Sequence, residues 1–128
     1  MGAELQRILY VEDDPDIQAV ARLALEAVGG FTVTICSSGP EAIREAEAFA
    51  PDLLILDVMM PGMDGPDTLR ALRDIPALAE VPAIFMTAKI RPEEIEDLKT
   101  HEQVIDVVTK PFDPMGLPDR IREIWQSM

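Results

Sequence analysis

The sequence is poor in cysteine, in cations and in long apolar runs. One cysteine, Cys36, stands among 128 residues. Alone it can close no internal disulfide and offers no zinc-site spacing. It follows the run Thr32-Val33-Thr34-Ile35, so a buried structural thiol is expected. Lysine occurs only at Lys89, Lys99 and Lys110, and 11 Lys+Arg face 24 Asp+Glu for a formal net charge of −13. A chain this negative is repelled by phosphate backbones and anionic bilayers, so no direct nucleic-acid partner and no membrane is expected. No uncharged stretch approaches the roughly 20 apolar residues of a membrane span. The N-terminal residues also lack the basic and apolar regions of a signal peptide. A cytoplasmic setting is the expectation.

What is present is enough for a core, since 48% of the residues are hydrophobic. The length predicts a single domain over residues 1–128. Five short apolar runs, at residues 8–11, 31–35, 53–56, 83–86 and 104–108, are continuous rather than alternating. That is the pattern of strands buried on both faces. Helical spacing lies between them: Ile17, Val20, Ala21, Ala24 and Val28 share one face, and so do Ala42, Ala46 and Phe49. Leu69 with Leu72, Ile95 with Leu98, and Leu117, Ile121, Ile124, Trp125 and Met128 continue the series.

Helix starts are marked by Asp14-Pro15, by Ser38 with Glu41 as a capping box, and by Asp64 and Asp113-Pro114. Pro118 would break a helix begun at Asp113, which places the last start near Leu117. Five strands alternating with five helices imply a parallel sheet with helices on both faces. In such folds ligands gather beyond the carboxyl ends of the strands.

Those ends carry Glu12-Asp13-Asp14, Asp57, Thr87 and Thr109-Lys110-Pro111. Taken singly, each has an ordinary reading: Asp14 as a helix cap, Asp57 as a turn residue, Lys110 as a solvated lysine, Thr87 as a strand-end hydroxyl. Four strand ends agreeing favours a joint site. Several carboxylates at one edge resist joint ionisation unless a cation intervenes. An all-oxygen donor set suits Mg²⁺. With that counter-charge one carboxylate can attack phosphorus, helped by a lysine and a hydroxyl.

At this point the segments Ile8-Leu9-Tyr10-Val11-Glu12-Asp13-Asp14-Pro15, Leu54-Ile55-Leu56-Asp57-Val58-Met59-Met60-Pro61-Gly62-Met63-Asp64-Gly65, Met86-Thr87-Ala88 and Lys110-Pro111-Phe112 resemble bacterial response-regulator receiver domains of two-component systems. The resemblance, chemotaxis-receiver-like, runs over residues 7–125. It implies a flavodoxin-like strand order 2-1-3-4-5. It also implies Asp57 as the phosphoacceptor, supplied by a sensor histidine kinase, a phosphotransfer protein or a small phosphodonor. Glu12 (through water), Asp13, Asp57 and the Met59 backbone carbonyl would hold Mg²⁺. Lys110 and Thr87 would contact the phosphoryl group, and the Lys110-Pro111 peptide would be cis. The output would be protein–protein contact of the helix 4–strand 5–helix 5 face with an unknown downstream protein. Such a chain assists its own phosphorylation without being a turnover enzyme.

Against the family pattern, Val107 stands where most receivers carry Tyr or Phe. Gln103 and Val104 replace a common Gly-Ala, and Met59 and Lys89 flank the expected path of attacking water. Ending at Met128 with no linker suggests a stand-alone regulator over an excised domain. Two other functions compete. One is a pseudo-receiver that binds without phosphorylation, which Val107 favours. The other is a Mg²⁺-dependent aspartyl phosphatase, which Met59 disfavours because such enzymes generally carry a second Asp there. His101 reads as a solvated loop residue, Trp125 as packing for the last helix, and Glu93, Glu94, Glu96 and Asp97 as a solvated acidic face.

Overall fold

The computed structural model describes residues 4–88, 91–101 and 103–128. Lys89, expected beside the path of attacking water, lies outside them, as do Glu102 and residues 1–3. Five parallel strands, β1 (Arg7–Val11), β2 (Thr32–Cys36), β3 (Leu53–Asp57), β4 (Ala83–Thr87) and β5 (Val104–Thr109), form one sheet in the order β2-β1-β3-β4-β5. Helices α1 (Pro15–Arg22), α2 (Gly39–Phe49), α3 (Gly65–Arg73), α4 (Pro92–Lys99) and α5 (Leu117–Gln126) cover it. The expected doubly covered parallel sheet, with the 2-1-3-4-5 order, is the observed fold.

The alternation of side chains across each strand divides the interior into two cores. Ile8, Tyr10, Ile55, Ile84 and Met86 pack against Ala21, Ala24 and Leu25 of the first helical segment and Leu117, Ile121 and Ile124 of α5. On the other face, Leu9, Val11, Leu54, Leu56 and Phe85 meet Ala42 and Ala46 of α2, Leu69 and Leu72 of α3, and Leu98 of α4. Each fully buried Leu, Ile or Phe contributes roughly 1.5–3 kcal/mol. Double burial holds for β3 and β4 throughout and for most of β1, whereas the edge strands β2 and β5 are half-exposed along part of their length. Cys36 is buried at the end of β2, as its apolar setting implied, and burial pushes its thiol up to about 12. Among the described residues, no helix is long and apolar enough to cross a membrane.

The caps follow the sequence with one exchange of partner. Asp14 accepts hydrogen bonds from the Asp16 and Ile17 amides, with Pro15 in the first turn. Asp64 accepts from the Asp67 amide at 2.8 Å. Ser38 Oγ accepts from the Glu41 amide at 3.2 Å, but Glu41 returns its bond to the Ser37 amide, one residue before the expected one. The last helix begins at Leu117, preceded by a turn in which the Gly116 and Leu117 amides donate to the Asp113 carbonyl.

The apolar face predicted for the first helix needs correction. Val20 and Val28 are 39% and 44% exposed, and Leu25 takes the interior position beside Ala21 and Ala24. The helix widens into a π-helical stretch at Leu23–Val28, where the Gly29 amide reaches back five residues to the Ala24 carbonyl. That extra residue per turn shifts the phase of the face, which a uniform period of 3.6 misassigns. Met128 is likewise exposed beyond the end of α5, while Trp125 packs partly buried against the core. His101 is half-buried rather than solvated, its ring edge-on to Phe85 with centroids 5.7 Å apart.

Gln103 adopts φ 60°, in the left-handed region. It ends the turn into β5, and its carbonyl accepts from the Ala83 amide, just ahead of an irregularity in the β4–β5 register. This accounts for the glycine common there in the family. Replacing Gln103 with glycine relieves the steric clash of a left-handed side chain, offset in part by added unfolded-state entropy. Chemical denaturation of Gln103→Gly is expected to show a gain of about 0.5–1 kcal/mol.

Candidate functional site

The parallel register converts distant sequence positions into neighbours. Val11 pairs with Leu56, so Glu12 and Asp57 leave β1 and β3 side by side. Met86 pairs with Asp57, and Thr87 pairs with Thr109, which sets Thr87 and Lys110 along the same edge. The Lys110 amide donates to the Thr87 carbonyl at 2.8 Å. The Lys110-Pro111 peptide is cis.

Glu12, Asp13 and Asp57 each present an oxygen within 4.8 Å of the others. Glu12 and Asp57 are almost sealed from solvent, at 1% and 3% exposure, whereas Asp13 is exposed. The Lys110 ammonium reaches between the two buried acids, 2.9 Å from Asp57 Oδ1 and 3.3 Å from Glu12 Oε1. Glu12 Oε2 accepts from the Asp14 amide at 3.1 Å. Thr87 is fully buried, and the Met59 side chain is 63% exposed at the rim.

Burial pushes the Glu12 carboxyl up, aided by the Asp57 charge and opposed by the Asp14 amide and Lys110. Asp57 is also pushed up by burial and by Asp13, with Lys110 pulling the other way. For Lys110, burial works against the charge, but its contacts with Asp57 and Glu12 prevail and raise its pKa. One ammonium therefore offsets two buried carboxylates incompletely. Hard oxygen donors, three acids at short range and residual negative charge fit a divalent cation such as Mg²⁺.

The sequence-predicted residues Glu12, Asp13, Asp57, Thr87 and Lys110 thus gather at one edge of the sheet, and Asp14 is a helix cap. Three supporting features had no sequence signal of comparable strength. Gln18 Nε2 donates to the Glu12 carbonyl at 2.6 Å and to Ser37 Oγ at 3.0 Å, tying α1 to the acidic turn. Gly65 comes close to the end of β3: its amide donates to the Val58 carbonyl at 2.9 Å, and a Cβ there would collide with the Asp57 carbonyl. Tyr10 lies beneath the acids, in the core. A glycine after Asp64 reads only as turn chemistry until that close approach is seen.

Two outcomes follow from this geometry. Gly65→Ala is expected to cost about 1–3 kcal/mol in denaturant titration, because the clash is with backbone and cannot be relieved by a rotamer change. The second concerns pH. With folded-state pKa values of Glu12 and Asp57 raised, the ion-free protein is favoured while they are protonated and loses that advantage as pH rises through their folded values. A bound cation removes the cost of ionising them. The Mg²⁺-induced rise in Tm is therefore expected to be larger at about pH 8 than at about pH 5, and to shrink strongly in Asp13→Asn.

The model of the family described as "Response regulator receiver domain" matches residues 8–122. The DNA-binding response regulator MtrA of Mycolicibacterium smegmatis is 37% identical over 122 residues, covering 95% of this chain and 51% of that protein. An uncharacterized 14.6 kDa protein of Leptolyngbya boryana is 39% identical over 110 residues, covering 86% of this chain and 82% of its own. The chain spans about half the length of the transcriptional regulators it matches. Among solved structures, the chemotaxis response regulator CheY4 of Vibrio cholerae superimposes with a TM-score of 0.84 at 26% identity, over 94% of this chain and 99% of that one. The receiver domain of a Pseudomonas aeruginosa sensor histidine kinase, solved with magnesium coordinated in its active-site cleft, gives 0.80 at 31% identity over 98% and 100%. With its fold, its acidic edge and this match along most of its length, the chain belongs to the response-regulator receiver domain family.

Proposed function

We propose that residues 1–128 act as one receiver domain whose phosphoacceptor is Asp57. The observation that supports this reading most directly is the buried Asp57 carboxylate held against the Lys110 ammonium, with Glu12 and Asp13 beside it. In the reaction an Asp57 Oδ attacks the phosphorus of a phosphohistidine on a sensor histidine kinase or phosphotransfer protein. The P–O bond forms as the P–N bond breaks, and the electron pair leaves on the imidazole nitrogen. Glu12, through water, with Asp13, Asp57 and the Met59 carbonyl would hold Mg²⁺, which supplies positive charge where the phosphoryl oxygens gather.

Lys110 then contacts a phosphoryl oxygen, exchanging one anionic partner for another. Thr87 donates its hydroxyl to the group once Asp57 is modified. A phosphoryl group adds nearly two negative charges and three acceptor oxygens, enough to shift the segment between β4 and α4. The α4–β5–α5 face would carry the output to a downstream protein. Val107 is 7% exposed in the core beneath that face, so the coupling there is a matter of aliphatic packing rather than of an aromatic ring turning. The net charge of −13 supports protein contacts over nucleic-acid contacts for this segment.

Incubation with Mg²⁺ and acetyl phosphate, or with a phosphorylated kinase, is expected to add one phosphoryl group by intact-protein mass spectrometry. The adduct is expected to be absent from Asp57→Asn. Absence of the adduct in the unmodified protein with every donor would leave a constitutive binding module in place of the phosphoacceptor. Sustained multiple-turnover release of phosphate from a metabolite would mark a phosphatase instead.

A further inference from the structure

Tyr10 is the chain's single tyrosine and is fully buried in β1. Its hydroxyl is sealed from solvent and has no hydrogen-bond partner among the described residues. A phenylalanine would fill the same space without that orphaned oxygen, and buried polar atoms left unpaired are rare in folded proteins. Strand alternation puts Tyr10 and Glu12 on one face with Cα atoms about 6.6 Å apart. The pairing of Tyr10 with Ile55 puts Asp57 on that face as well. The ring therefore underlies both buried carboxylates, on the side packed by the first helical segment and α5.

Three of the carboxylate oxygens above the phenol are already engaged. Lys110 holds Asp57 Oδ1 and Glu12 Oε1, and the Asp14 amide holds Glu12 Oε2. Burial first, and then the Glu12 and Asp57 charges, push the phenol up, so it remains a neutral donor. An attached phosphoryl group competes for Lys110 and, in drawing it away, frees Glu12 Oε1.

We propose that Tyr10 is a positioning residue of the phosphorylated state, whose buried hydroxyl donates to Glu12 once Lys110 has moved to the phosphoryl group. This inference rests on the phosphoacceptor reading of Asp57. In the reaction Tyr10 would hold Glu12 in place without touching the transferred group.

The test compares the full chain with Tyr10→Phe, which removes only the oxygen, using beryllium fluoride with Mg²⁺ as a stable phosphoryl mimic. Without the mimic, Tyr10→Phe is expected to melt at a higher temperature than the wild type, because an unpartnered hydroxyl is gone. Its affinity for the mimic is expected to fall about fivefold, the worth of one added hydrogen bond. In the wild type, the NMR signal of ¹³Cζ-labelled tyrosine, a single resonance in this chain, is expected to move on loading. A role confined to packing would leave affinity and resonance unchanged, and that result would overturn the proposal. A lower melting temperature for the free variant would also overturn it, by showing that the hydroxyl is already partnered. A wild type that neither binds the mimic nor accepts phosphoryl from acetyl phosphate overturns the phosphoacceptor reading itself; normal loading in both proteins overturns only the role of Tyr10.

Discussion

Two carboxylates nearly sealed from water, Glu12 and Asp57, stand beside each other at the end of a parallel sheet, and a single ammonium lies between them. Isolated carboxylates in that setting would protonate or draw in water. Lys110 opposes that protonation, its ammonium 2.9 Å from Asp57 and 3.3 Å from Glu12. The site is therefore electrostatically unfinished, with one positive charge set against two buried acids and the nearby Asp13. That shortfall suits a divalent cation, and it is held by the register of β1, β3 and β4 beneath it.

The same constraint organises the neighbouring structure. Asp14 is spent on capping α1, and Gln18 reaches from that helix to the Glu12 carbonyl. Gly65 brings α3 against the end of β3, closer than any side chain would allow. Each fixes the backbone around an acid rather than the acid itself. A carboxylate can be reactive in a stable domain when its position is set by neighbours whose own hydrogen bonds are complete. Tyr10 is the exception, a buried donor directly below the site with no acceptor among the described residues.

Much of this was legible in the linear chain. Continuous apolar runs marked the inner strands, and proline after Asp14 and before Asp67 marked helix starts. The acids, hydroxyl and lysine at four strand ends marked the edge where chemistry collects. What escaped was anything dependent on local phase or on contact across the sheet. The π-helical stretch at Leu23–Val28 shifted the buried face and left Val28 outward, because a periodic reading assumes one helical pitch. His101 lay in a polar segment yet packs on Phe85, since neighbours in sequence do not reveal neighbours in space. The left-handed Gln103 was legible only as a departure from the family pattern until its backbone was seen.

By itself, the sequence determined the alternation of elements, the helix caps, the buried thiol and the residue types of the site, because these depend on short-range pattern and on the chemistry of each side chain. Only the tertiary structure decided how the charges are shared: that one lysine serves two acids, that the third is exposed, and that a phenol lies beneath them with no partner among the described residues. Those facts depend on distances across strands far apart in the chain, and electrostatic energy changes steeply with such distances in a dry interior.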